Sequence, residues 1–197
     1  MLEMLRSLVS RVCLLPLCWW DRLLDVWYRF DHGLLGVAVL PVVVLGMLGS
    51  VTRFAYVQHM EQRALIERHA ELRCLAENVY HEGRGEPLKG QYAVAEVTMN
   101  RVASPRFPDG VCAVVHEKRM DPLRRRYVGA FSWTEIDVLP PGGPAWERAL
   151  EVAATVYDER HEPVVPGALF YHTARVKPSW SKVKEPVTRI GNHIFYE

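Results

Sequence analysis

The chain has 197 residues, of which 49% are hydrophobic, 10% aromatic and 24% charged. These are the values of a globular protein and exclude a disordered, collagen-like or coiled-coil chain. Twenty-four Lys and Arg stand against 23 Asp and Glu, a formal charge of +1. That balance lacks the basic excess of a nucleic-acid-binding chain and leaves membranes, small molecules and polymers as partners.

In residues 1–32, Leu2, Leu5, Leu8, Val9 and Val12 recur with Arg6 and Arg11 on other faces. Trp19, Trp20, Trp27, Tyr28 and Phe30 cluster further on. The pattern is that of an amphipathic segment lying on a membrane surface, with aromatic rings at headgroup level. Residues 33–51, GLLGVAVLPVVVLGMLGSV, contain no charge. At 1.5 Å per residue they extend about 28 Å, close to the thickness of a bilayer's hydrocarbon core. Pro41 and the glycines weaken a soluble helix but are tolerated in a transmembrane one. A cleaved signal peptide fits less well, because the stretch is long, starts far from residue 1 and lacks a small-x-small cleavage site. The lipid bilayer is therefore an expected partner of residues 1–51. Arg22 and Arg29 before the span roughly match Arg53, Arg63 and Arg68 after it, so charge bias does not set the orientation.

Residues 52–73 are polar and helix-forming and predict a stalk that runs straight into the first helix of a domain over 74–197. Leu65, Leu72, Leu75 and Val79 recur at spacings of seven, three and four, marking one buried stripe. Continuing the stripe lands on Glu82, and Gly83 and Gly85 then punctuate the helix end. Burial and the negative end of the helix dipole both disfavour a charged carboxylate, which is the condition a general acid needs. The alternative is a frayed Glu82 that points to water or pairs with Arg84.

A second helix is predicted from Pro87, with Leu88, Tyr92, Ala95, Met99 and Val102 as its stripe and Ser104-Pro105 as its end. Phe107, Val111, Val114 and Val115 suggest a short third helix. Lys118, Arg119, Arg124, Arg125 and Arg126 surround Pro122 and read as a solvated loop. After the loop at 140–144, Trp146, Leu150, Ala153 and Tyr157 share a helical face. The period then changes, and residues 167–172 and 187–196 read as short strands joined by a loop with Pro178, Trp180 and Pro186. Helices first and a small strand pair last make the fold class α+β, helix-dominant. Cys74 and Cys112 match no zinc pattern; they form a disulfide if this domain faces an oxidising compartment, and are free thiols otherwise.

The segment Cys74–Val102, CLAENVYHEGRGEPLKGQYAVAEVTMNRV, resembles the signature of the SleB-type cell wall hydrolases, a family that includes the spore-cortex-lytic enzymes. The resemblance continues in order through Ser104-Pro-Arg-Phe-Pro, Val111-Cys-Ala-Val-Val, Phe131-Ser-Trp, Gly167-Ala-Leu-Phe-Tyr-His and Ile190-Gly-Asn-His-Ile-Phe-Tyr. It implies a lysozyme-like or lytic-transglycosylase-like catalytic domain whose essential glutamate is the first Glu of the Tyr-x-Glu-x-Arg-Gly-Glu motif. That residue is Glu82, which the stripe reaches independently.

The implied reaction cleaves the β-1,4 bond between N-acetylmuramic acid and N-acetylglucosamine in peptidoglycan glycan strands, with Glu82 protonating the glycosidic oxygen. Attack by water requires a second carboxylate, for which Glu86 and Asp137 are the candidates. Attack by the sugar's own 6-hydroxyl requires none and yields a 1,6-anhydro product, the outcome towards which the resemblance leans. Arg84, Trp133, Tyr171, His172 and His193 are the candidate substrate-binding residues, with Trp180 a further aromatic. Gly83 replaces the family's usual alanine, and Ala130 stands where a glutamine is common.

No cofactor and no metal are expected. A metal hydrolase built on His81-Glu82 lacks the second His four residues on, because position 85 is Gly. A catalytically silent glycan-binding scaffold has little reason to bury a carboxylate on its core stripe. The expected location is the inner (cytoplasmic) membrane, single-pass, with the catalytic domain facing the periplasm or cell wall.

Overall fold

The computed structural model describes residues 22, 24–26, 28–29 and 32–197, apart from 122–124 and 137. Most of the interfacial segment and the candidate Asp137 thus lie outside the described residues. The chain divides into two compact units, Met1–Glu61 and Gln62–Glu197.

In the first unit the described residues belong chiefly to helix α1 (His32–Gly83), which has Pro41 in its interior and continues into the second unit. By length and composition α1 is able to cross a membrane, and its apolar window is wholly unburied. Two polar side chains at the end of that window turn back on the helix itself: Ser50 Oγ donates to the Gly46 carbonyl at 2.8 Å and Thr52 Oγ1 to that of Gly49 at 3.0 Å. Such back-bonding is how hydroxyls are satisfied where water is scarce.

The second unit is α+β. After the end of α1 come α2 (Leu88–Val102), α3 (Val111–Val115), a hairpin of β1 (Lys118–Asp121) and β2 (Arg126–Gly129), and α4 (Gly143–Tyr157). Strands β3 (Phe170–Thr173), β4 (Pro186–Ile190) and β5 (His193–Tyr196) close the fold as an antiparallel sheet in the order β3-β5-β4. One core cluster joins Leu75, Ala76 and Val79 of α1 to Ala95, Val111, Val115, Phe131 and the buried side of α4. A second joins Ala93 and Val97 to Val165, Ala168, Ile190 and Phe195 under the sheet. Helix α2 contributes to both clusters and is the central element.

Several expectations need correction. The basic run around Pro122 flanks a β-hairpin rather than a plain loop, with Lys118 paired to Gly129 and Asp121 to Arg126. The apolar alternation that marks a half-buried strand is missing there, because most of its residues are exposed. Residues 187–196 form two strands instead of one, turning at Gly191, whose φ of +58° suits glycine. Helix α2 is buried nearly all round, including Gln91, Glu96, Thr98 and Arg101, while Leu88 at the head of its predicted stripe is exposed. On α4 the buried face is Ala149, Val152, Ala153 and Val156, rotated from the predicted one because Trp146 and Leu150 border a surface cavity.

Residues of the predicted stalk bind this unit. Arg68 Nη2 meets Asp158 Oδ1 at 2.6 Å, and the Glu71 carboxylate accepts from the backbone N–H groups of Val111 and Cys112. A disulfide between Cys74 and Cys112 joins α1 to α3.

Candidate active site

The last turns of α1 bury Leu75, Ala76, Asn78 and Val79 completely or nearly so. Glu82, one turn beyond Val79, is therefore drawn against the core at the helix end. Burial raises its proton affinity above the ordinary carboxylate value. The Tyr171 hydroxyl and then the Arg101 charge act in the opposite direction and less strongly. A carboxyl group in this setting keeps its proton to higher pH than an exposed one. A Cβ at neighbouring Gly83 would meet Gln91 at an ordinary 3.5 Å, so the glycine replaces the family's alanine without altering the packing.

Tyr171 reaches Glu82 from β3. Its ring meets His193 edge-on at 5.1 Å and Phe195 at 5.7 Å. Its hydroxyl is buried without a hydrogen-bond partner at ordinary distance among the described residues, so its contact with Glu82 is a longer one. Desolvation, and then the Glu82 charge, hold the phenol protonated well above its usual range.

The segment that delivers Tyr171 is fastened by polar side chains of α2. The buried Glu96 carboxylate accepts from Val164 N, Val165 N at 2.7 Å and His161 Nε2 at 2.7 Å. One turn on, Asn100 Nδ2 donates to the carbonyls of Val165 and Ala168, and Arg101 Nε donates to that of Leu169 at 2.8 Å. Strand β5 completes the support, with Tyr171 registered opposite Phe195. None of Glu96, Asn100 and Arg101 stood out in the sequence as site residues. The available signal was a run of polar residues inside an otherwise apolar central helix.

Glu86 is occupied elsewhere. Its Oε2 accepts from Asn192 N at 2.8 Å and its Oε1 from Asn192 Nδ2 at 3.0 Å, which clamps the β4–β5 turn. A Cβ at Gly191 would fall 2.0 Å from Glu86 Oε2, so glycine is required there for space as well as for its φ. His193 Nδ1 lies 3.7 Å from Glu86 Oε1, beyond hydrogen-bonding range, and burial lowers the His193 pKa and keeps the ring neutral.

The other candidates lie at varying distance from this centre. His172, adjacent to Tyr171, donates from Nδ1 to the Thr173 carbonyl at 2.9 Å, so in the neutral ring Nε2 accepts from the Tyr196 hydroxyl at 2.9 Å. Trp133 donates from Nε1 to Asn78 Oδ1 at 3.1 Å and stacks on His81 at 4.6 Å. Arg84 lies 5.3 Å over the Tyr80 ring and is exposed, with no bond to Glu86. Trp180 borders a cavity of about 290 Å³ together with Tyr171, Arg101, Phe107, Phe170, Ala130, Glu117 and Arg119. Among the described residues, no group of three or more His, Cys, Asp and Glu side chains converges as a metal site would require.

The model of the family described as Cell Wall Hydrolase matches residues 85–196, more than half of the chain, beginning just after Glu82. The chain is 37% identical over 128 residues to the spore cortex-lytic enzyme of Bacillus subtilis (strain 168), and 35% identical over 126 residues to that of Halalkalibacterium halodurans. Each match covers 64% of this chain but only 37% and 34% of the relative, so the chain spans little more than a third of those proteins. Among solved structures, the catalytic domain of the germination-specific lytic transglycosylase SleB from Bacillus anthracis is similar at a TM-score of 0.51 and 30% identity. That similarity covers 64% of this chain and 93% of that domain.

Proposed function

The chain belongs to the cell wall hydrolase family, and from that premise we propose that it is a membrane-anchored peptidoglycan glycosidase acting as a lytic transglycosylase. Glu82 is its general acid and base. The observation that carries this reading is the Glu82 carboxyl group at the half-buried end of α1, facing the Tyr171 hydroxyl, where burial raises its proton affinity. Glu82 protonates the oxygen of the N-acetylmuramic acid–N-acetylglucosamine bond as positive charge develops at C1 of the muramoyl ring. The resulting carboxylate then takes the proton of the ring's 6-hydroxyl as that oxygen attacks C1, giving the 1,6-anhydro end and returning Glu82 to its starting state.

A hydrolytic course needs a second carboxylate to activate water. Glu86 is engaged through both oxygens by Asn192, which supports the intramolecular course. The names of the spore cortex-lytic relatives and of the lytic transglycosylase neighbour agree with this chemistry. Residues 33–51 serve as the membrane anchor. The Cys74–Cys112 disulfide supports a catalytic unit on the oxidising side of that membrane, where the wall is.

The test is mass spectrometry of the products released from purified peptidoglycan by the detergent-solubilised chain and by its Glu82→Gln variant. Anhydromuropeptides are expected from the wild type, with a loss of about a thousandfold in the variant. Reducing-end muropeptides would overturn the transglycosylase course, and absence of any product from the wild type would leave a silent glycan-binding scaffold.

A further inference from the structure

The cavity that Tyr171 and Arg101 line carries more positive charge than holding the fold demands. Arg101 is 8% exposed, and only its Nε is tied down, to the Leu169 carbonyl. The guanidinium lies 5.3 Å from the Phe107 ring centre, 5.2 Å from that of Phe131 and 6.0 Å from that of Phe170. Those rings surround it, and among the described residues its terminal nitrogens have no bonded acceptor. Arg119 also lies over Phe107, 4.5 Å from its ring centre, with its Nε on Glu117 Oε1 at 2.7 Å. Arg106 and Lys184 approach Phe170 at 5.7 and 3.9 Å. Four cations thus gather around two phenyl rings; among the described residues Arg119 is engaged by Glu117 and Lys184 by the Glu197 main-chain oxygen at 2.6 Å, which leaves the Arg101 fork as the buried group without an acceptor.

A buried guanidinium with its fork free, at the edge of a cavity large enough for a small organic group, is suited to a planar oxyanion. Phosphate-rich polymers are not what the proposed reaction presents, but carboxylates are: every muramoyl residue carries a 3-O-lactyl group. Its carboxyl group is free where the stem peptide has been removed, and where the peptide remains, the peptide carries carboxylates of its own. We propose that the cavity lined by Arg101, Arg119, Phe107, Phe170, Tyr171 and Trp180 is a carboxylate-binding subsite of the glycan cleft. Arg101 is its specificity-determining residue, and the inference rests on the peptidoglycan reading above. Tyr171 links the two sites, lining the cavity while its hydroxyl faces Glu82, so a carboxylate bound by Arg101 lies beside the bond to be cut.

The experiment measures binding rather than turnover, and changes the ligand before it changes the protein. The 197-residue chain carrying Glu82→Gln, in detergent, is titrated with three defined glycan strands: stripped of stem peptides, stripped and methyl-esterified at the lactyl carboxyl, and peptide-bearing. Tighter binding of the free acid than of its ester, by about tenfold or more, is expected of a charge-assisted fork contact. Equal binding of acid and ester, with the peptide-bearing strand tighter than both, assigns the subsite to a stem-peptide carboxylate. Equal binding of all three strands overturns the proposal. Arg119→Gln, an exposed rim change, weakens binding of the carboxylate-bearing strand alone, and Arg101→Lys does so more strongly because a lysine lacks the fork. Failure of the wild type to release product from any strand would speak against the glycosidase reading, whereas the acid–ester difference measured on the inactive variant tests the subsite by itself.

Discussion

Glu82 and Tyr171 form a pair whose members alter each other's proton affinity, and the sign of that coupling gives a test at the scale of single residues. Burial raises the Glu82 pKa, while the Tyr171 hydroxyl favours the ionised carboxylate and lowers it. In the proposed mechanism Glu82 works as a general acid in its protonated form, so activity should be lost as pH rises through its pKa. Tyr171→Phe removes the group that favours ionisation, and the alkaline limb of the pH–rate profile should move to higher pH, by up to about one unit. A limb that moved to lower pH would show that the hydroxyl holds the neutral acid instead. The place of Glu82 on the core-facing stripe was legible from Leu72, Leu75 and Val79, because helical periodicity fixes which residue shares a face with which, although Leu65, read as the head of that stripe, is exposed. Tyr171 was legible as an aromatic in a strand, but its position was not. Its neighbour across the site is 89 positions away in sequence, and only tertiary packing brings the two together.

Among the elements, α2 decides the geometry. Its apolar spacing was visible, but its buried polar residues were not recognised as the feature that positions the site. Glu96 lies between Ala95 and Val97 in a helix packed on nearly all sides, where a carboxylate persists only if its oxygens are matched. Its partners are the backbone of 164–165 and His161, all more than sixty residues away. Glu96→Ala should leave those donors unmatched and lower stability by about 3 kcal/mol, read as a shift of the denaturant midpoint. Activity should fall even in chains that remain folded, because residues 164–169 lead directly into the strand that bears Tyr171. The turn between β4 and β5 was hidden for a different reason. Residues 187–196 carry strand-forming Val, Thr, Ile, Phe and Tyr on both sides of Gly191-Asn192, which is itself a two-residue hairpin signal. The β1–β2 hairpin is too charged and too exposed to show the alternation on which strand prediction depends.

For the molecule as a whole, the Cys74–Cys112 link is the feature most exposed to its surroundings. It closes a loop with a sequence separation of 38, which in the chain-entropy account contributes about 4 kcal/mol by restricting the unfolded chain. Paired Cys74→Ser and Cys112→Ser substitutions should therefore lower the thermal midpoint markedly, and a reducing buffer should lower that of the wild type by a similar amount while leaving the serine variant unmoved. The helix-dominant architecture was legible because four helical stretches carry clear periodicity or terminators. Where the compact unit begins was less so: Arg68 and Glu71 look like solvated stalk residues until their partners Asp158, Val111 and Cys112 are in place.

The sheet order has a consequence for how the protein is made. β5 lies between β3 and β4 although it follows both in sequence, and Asn192 just before it holds Glu86. Ribosomes deliver Glu82 more than a hundred residues before the strand that seats Tyr171 opposite it. A nascent chain halted ahead of residue 193 has Glu82 but not the strand that seats Tyr171 opposite it, so on the glycosidase reading proposed above the site is completed only once β5 has been made.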